Sequence, residues 1–208
     1  MLGDKKIKLD SEYDDWNTLN TADKKTSVLR ELLGFLAYIL IIFILSYLVL
    51  HFVGQRTKVE GSSMETALSN GDHLITDKIS YRFKSPERFD IIIFPFQYAE
   101  KTYYIKRVIG LPGESVHIDD AGTIFIDGKE LVESYGREVM ENPGIAAEEF
   151  TLAEDEYFVL GDNRNASSDS RDQSVANIKR KDIVGRAWLR IYPFNKMGFL
   201  KDHEGEKN

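Results

Sequence analysis

Cysteine is absent from the 208 residues, which removes disulfide frameworks, cysteine zinc sites, iron–sulfur centres and thiol nucleophiles together. Basic charge is also scarce. The 27 Lys and Arg stand against 34 Asp and Glu, a formal net charge of -7, and residues 111–160 hold thirteen acids against only Lys129 and Arg137. A chain with no basic face has little to neutralise phosphates, which argues against sequence-independent nucleic-acid binding. No internal repeat is visible. The chemistry of this chain must rest on oxygen and nitrogen side chains.

Charge vanishes altogether over Leu33–Val53, LGFLAYILIIFILSYLVLHFV, a run of 21 residues without Asp, Glu, Lys or Arg. That is about the length a helix needs to cross the hydrocarbon core of a bilayer. A cleaved secretory signal has an apolar region of only about 7–15 residues, ending at a small-residue cleavage site. No such site precedes Arg56. A buried core helix is the lesser alternative, so residues 33–53 read as a transmembrane helix. Lys24, Lys25 and Arg30 precede it while Arg56 and Lys58 follow, which favours a cytoplasmic N-terminus slightly. Residues 1–32 carry six basic and seven acidic side chains with few large apolar ones, the composition of a flexible tail.

Residues 54–208 have a different texture. Short runs rich in Val, Ile, Phe and Tyr alternate with turn signals about every ten residues, the pattern of a mainly β domain. The expected strands are His73–Lys78, Asp90–Phe94, Thr102–Ile109, Ser115–Ile118, Thr123–Ile126, Glu156–Leu160 and Ile183–Ile191. Asp119-Asp120-Ala121-Gly122 and Asp127-Gly128 should close tight turns, and Glu133–Glu149 reads as an acidic surface loop.

Three stretches carry the chemistry. Val59-Glu60-Gly61-Ser62-Ser63-Met64 lies just beyond the apolar run, and Tyr103-Tyr104-Ile105-Lys106-Arg107-Val108-Ile109-Gly110-Leu111-Pro112-Gly113-Glu114 places a lysine inside an apolar strand. The third, Gly161-Asp162-Asn163-Arg164-Asn165-Ala166-Ser167-Ser168-Asp169-Ser170-Arg171, is a polar loop after the apolar Tyr157–Leu160. Each alone has an ordinary reading: a turn, a lysine snorkelling to solvent, an Asx-turn network. The loop fails as an EF-hand, because Arg164 and Ala166 occupy positions that need oxygen ligands. Together the stretches have the parts of a serine hydrolase that uses lysine as its base. A serine hydroxyl needs a neighbour to take its proton, and none of His51, His73, His117 or His203 stands in a catalytic-looking context. Lysine can replace histidine where desolvation lowers its pKa from about 10.4 toward about 7–8. Tyr104, Ile105, Val108 and Ile109 are the neighbours expected to keep Lys106 dry.

These three stretches resemble the boxes of type I signal peptidases, the Ser/Lys endopeptidases that remove signal peptides from exported proteins. Arg88-Phe89-Asp90-Ile91-Ile92-Ile93-Phe94 resembles the strand between the first two boxes, so the likeness runs from Val59 to Arg171. One span ahead of a compact domain is similar to the short Gram-positive-type enzymes. The resemblance implies a signal-peptidase-like β domain, with Ser63 as nucleophile and Lys106 as general base. It also implies that the Ser167 hydroxyl orients the lysine, that Asp169 and Arg171 form a supporting ion pair, and that Asp162 pairs with Arg107. The Ser63 main-chain N–H would serve the oxyanion hole, while the second donor stays open because Gly61 stands where some relatives carry a hydroxyl. Met64, Tyr104 and Ile105 would help wall shallow pockets for small side chains; core packing is the plain alternative.

The sequence departs from the family where Glu65-Thr66-Ala67-Leu68 replaces x-Pro-Thr-Leu after Ser-Met, where Ala166 replaces Asn, and where Glu114 ends the second box. Glu65 is expected to face solvent. No metal or organic cofactor is implied. The expected partners are signal-peptide-bearing preproteins and the lipid bilayer; the sequence carries no indication of oligomeric state. Signal peptides are cut on the far side of the membrane, so residues 54–208 would be an extracytoplasmic catalytic domain of a single-pass cell-membrane protein. Ser63 follows Val53 by about ten residues, a reach of at most ~36 Å, and Phe83, Phe94, Phe96 and Trp188 are candidates for an interfacial patch, burial in the core being the commoner fate of any one of them. Two rivals are a self-cleaving repressor, which would lack a span, and a catalytically silent relative acting as an assembly factor for surface proteins.

Overall fold

The computed structural model describes residues 30–47, 54–97 and 102–200, in two units divided between Val49 and Leu50. The first contains helix α1, Arg30–Tyr47, long and apolar enough to cross a membrane. A long helix of such apolar composition is suited to lipid or to a protein core. It begins three residues ahead of the expected span; the remainder of that span and most of the expected tail lie outside the described residues.

The second unit is mainly antiparallel β, as the sequence pattern indicates. Its elements are β1 (Gly54–Lys58), β2 (His73–Asp77), the single turn α2 (Ser80–Phe83), β3 (Ile91–Pro95), β4 (Tyr103–Gly110), β5 (Ser115–Ile118), β6 (Ile124–Ile126) and β7 (Lys129–Glu130). They continue with β8 (Phe150–Thr151), β9 (Glu156–Leu160), β10 (Ile178–Lys179), β11 (Gly185–Tyr192) and β12 (Gly198–Phe199). Eight strands form one sheet in the order β1-β2-β11-β3-β4-β9-β10, with β12 on β11; the other sheet runs β7-β6-β5-β8.

β3 shows why the larger sheet is buried on both faces. Ile91 and Ile93 pack into a cluster with Met64, Leu68, Leu74 and Ile105, while Ile92 and Phe94 pack with Val108, Tyr157 and Val159. Alternation carries one strand into two cores, so it reads as a continuous apolar run. A third cluster holds Ile109, Val116, Ile118, Phe158 and Leu160. β4 leads into β5 at Gly110, where a Cβ would lie 2.8 Å from Leu152 Cδ1 and 2.9 Å from Val116 Cγ2.

The two tight turns form where expected. Asp119 Oδ1 accepts the N–H of Ala121 and of Thr123 between β5 and β6. Asp127 and Gly128, both at positive φ, join β6 to β7. The acidic loop differs from expectation, because Met140 and Ala146 are buried and draw it onto the core. The four aromatics proposed for an interfacial patch also divide. Phe83 and Trp188 are exposed and Phe94 is buried, while Phe96 packs against the core and stacks on Tyr104.

Candidate active site

Ser63 sits on a turn held at both ends. Val59 donates to Asp72 O at 2.8 Å and receives Gly71 N–H at 2.9 Å; Met64 and Leu68, buried at 2% and 0% exposure, hold the middle. Gly61, with φ +93°, supplies a left-handed bend just before the serine that a side chain would resist.

Lys106 reaches this turn from β4, where it lies opposite Ile92. The lysine is only 3% exposed. Its Nζ donates to Ser63 Oγ at 2.7 Å and stands 5.0 Å from the centre of the Tyr104 ring. Burial holds the amine pKa down at about 8, against the opposing pull of the Asp169 and Asp162 charges. Desolvation therefore outweighs two carboxylates, leaving an appreciable neutral fraction near neutrality.

The next residue of β4 points the other way. Arg107 makes a two-pronged pair with Asp162, Nε to Oδ1 at 2.8 Å and Nη2 to Oδ2 at 2.7 Å, and also donates to Phe89 O. Its guanidinium lies 3.8 Å from the Tyr135 ring centre. Asp169 and Arg171 form a second buried pair, Nε to Oδ1 at 2.8 Å and Nη2 to Oδ2 at 2.9 Å. Asp169 also accepts the Gly161 N–H at 3.0 Å, and Arg171 donates to Asn142 O and Arg164 O. The loop after β9 is thus built around two buried, hydrogen-bonded ion pairs.

Ser167 Oγ is buried and has no hydrogen-bond partner among the described residues. The hydroxyl is lodged against Gly161, where an added Cβ would meet Ser167 Oγ at 2.2 Å and Ser63 O at 2.5 Å. Glu65, expected to face solvent, is partly exposed and pairs with Arg137 Nη1 at 3.2 Å. Sequence reasoning passed over Asn163, whose backbone N–H donates to Ser63 O at 3.0 Å and whose Nδ2 donates to Ser62 O at 3.2 Å. Main-chain carbonyls carry no sequence signal, so only the Gly-Asp-Asn-Arg string hinted at it.

A groove of about 550 Å³ runs past the serine between β1 and the start of β4, and Met64, Tyr104 and Ile105 are among its walls. β1 is an edge strand. β4 pairs with β9 only from Arg107 onward, so Tyr103–Lys106 keep one edge without a strand partner among the described residues. Among these residues no group of three or more His, Cys, Asp or Glu is gathered as metal ligands would be.

The family described as "Signal peptidase, peptidase S26" matches residues 32–192. The chain belongs to this family. The match takes in most of α1, the serine turn, β4 and the loop after β9. Among related signal peptidases, the "Probable signal peptidase I-2" of Synechocystis sp. is 38% identical over 156 residues, covering 73% of this chain and 69% of that protein. "Signal peptidase I T" of Bacillus subtilis is 34% identical over 194 residues, 90% of this chain and 97% of that one. A crystal structure of a signal peptidase I from Enterococcus faecalis is 35% identical, covers 50% of this chain and 97% of that chain, and superposes with a TM-score of 0.41.

Proposed function

We propose that this chain is a serine protease that removes signal peptides from preproteins, with Ser63 as nucleophile and neutral Lys106 as general base. The observation that carries the reading is the 2.7 Å contact between Ser63 Oγ and Lys106 Nζ, made by an amine that is 3% exposed. In the reacting form the same contact runs the other way, with the hydroxyl donating. Lys106 takes the proton as Ser63 Oγ attacks the scissile carbonyl, and the Ser63 N–H faces the oxyanion. The Lys106 ammonium then protonates the leaving amine, and its neutral form draws a proton from the water that hydrolyses the acyl-enzyme.

The substrate lies extended along the open edges of β1 and of Tyr103–Lys106, in the manner of an added strand. Met64, Tyr104 and Ile105 wall its side-chain pockets. Ile105 and Met64 belong to a packed cluster, so these pockets are shallow and suit small side chains. Arg107 with Asp162, and Asp169 with Arg171, hold the loop that backs the serine turn. In this reading α1 anchors the chain in the membrane with the N-terminus cytoplasmic and residues 54–208 outside. The silent assembly-factor reading is not favoured, because a protein free of catalytic demands has no need to bury a lysine against a serine.

Ser63→Ala and Lys106→Ala should each cut preprotein at least about a thousandfold more slowly while staying folded. Wild-type kcat/KM should fall tenfold per unit below pH about 8, where the amine takes its proton. A flat profile from pH 5 to 9 with chemistry limiting would remove Lys106 as the base.

A further inference from the structure

We infer that Asn163 is a positioning residue: its side-chain amide holds the Ser62 carbonyl so that the N–H of the same peptide unit faces the oxyanion formed at Ser63. This rests on the reading of Ser63 as nucleophile. Asn163 is 7% exposed and holds two successive carbonyls of the serine turn, Ser62 O through Nδ2 at 3.2 Å and Ser63 O through its backbone N–H at 3.0 Å. Since both partners are carbonyl oxygens, only the donor end of the amide can face Ser62.

The Ser62–Ser63 peptide is trans, and in a planar trans peptide the C=O and N–H point in opposite directions. Fixing the Ser62 oxygen therefore aims the Ser63 N–H. That N–H donates to no protein acceptor among the described residues, so it is available to a substrate oxygen. Ser62 O also accepts the Glu65 N–H at 3.1 Å. Two donors on the carbonyl polarise the amide and make its N–H the stronger partner for developing negative charge. Asn163 is itself anchored by its neighbour Asp162, locked to Arg107 at 2.7 Å and 2.8 Å. Support thus passes from a buried ion pair, through one amide, to the direction of a backbone N–H.

The test uses the full chain with a preprotein substrate, comparing Asn163→Ala with the volume-matched Asn163→Asp. Losing one oxyanion donor outright costs about 10²–10³-fold; misaiming it should lower kcat about ten- to a hundredfold with KM nearly unchanged. Asn163→Asp should be worse than Asn163→Ala, because it sets a carboxylate oxygen against Ser62 O, whereas a space-filling role would give the reverse order. For Asn163→Ala the midpoint of the pH–rate profile should stay in place, while the added carboxylate of Asn163→Asp should move it upward. Affinity for a substrate-like peptide aldehyde, whose adduct presents an oxyanion, should weaken in step with kcat, while a non-reacting peptide alcohol binds as before. The inference falls if Asn163→Asp matches or exceeds Asn163→Ala, if kcat is retained, or if aldehyde and alcohol weaken together. A Ser63→Ala variant that still cuts would sink the parent reading; inactive Ser63→Ala beside fully active Asn163→Ala would sink only this one.

Discussion

In the proposed mechanism Lys106 is the proton acceptor, and burial makes its charged form costly. A pKa of about 8 in place of 10.5 corresponds to about 3 kcal/mol against the ammonium. The folded state binds fewer protons than the unfolded chain between those two values, so stability rises with pH across that window. Below pH about 8 the penalty is fully present. Lys106→Met, similar in length and uncharged, should therefore be more stable than wild type by up to about 3 kcal/mol at pH 7, with the gap closing toward pH 10.5. Denaturant titrations at pH 6, 7, 9 and 10 measure it; a gap independent of pH would mean that the amine is not held neutral. Of this arrangement the sequence displays a lysine in an apolar strand and a serine 43 positions earlier. Their meeting depends on pairing of β4 with β3, which no local pattern encodes.

At the level of elements, β4 separates two cations by alternation alone. Lys106 faces the serine and, in the proposed mechanism, loses its proton, while Arg107 faces the opposite side and pairs with Asp162. A register slip of one residue would bring a guanidinium, which cannot act as a base, to the serine. The end of β9 is equally constrained, since Gly161 lies flush against Ser63 O. Gly161→Ala should cost about 1–3 kcal/mol in stability, as overpacking does, yet reduce cleavage about a hundredfold through displacement of the serine turn; thermal melts beside turnover assays separate the two. Legibility also varied by element. β2, β3, β4, β5, β6, β9 and β11 alternate or run apolar and can be read from sequence to within about two residues at either end. β1, Gly-Gln-Arg-Thr-Lys, is a polar edge strand with no buried position. β7, β8, β10 and β12 have two residues each, too few for any period to show.

At the scale of the whole molecule, the three β clusters among the described residues are built from positions between Val59 and Leu200. A chain starting at Gly54 should therefore fold and cut a soluble peptide within about tenfold of the full-length rate. It should cut a preprotein embedded in vesicles at least about a hundredfold more slowly, because the shared tether is gone. Parallel assays on the two substrates measure this, and equal losses on both would mean that the apolar segment supports the fold itself. The groove of about 550 Å³ then has a kinetic meaning. In the proposed reading, an anchored enzyme and its preprotein confined to one film of lipid meet at effective concentrations that reach the millimolar range, so a loose grip on the cleavage segment suffices. Confinement in two dimensions brings the substrate, and weak binding lets the severed ends depart quickly.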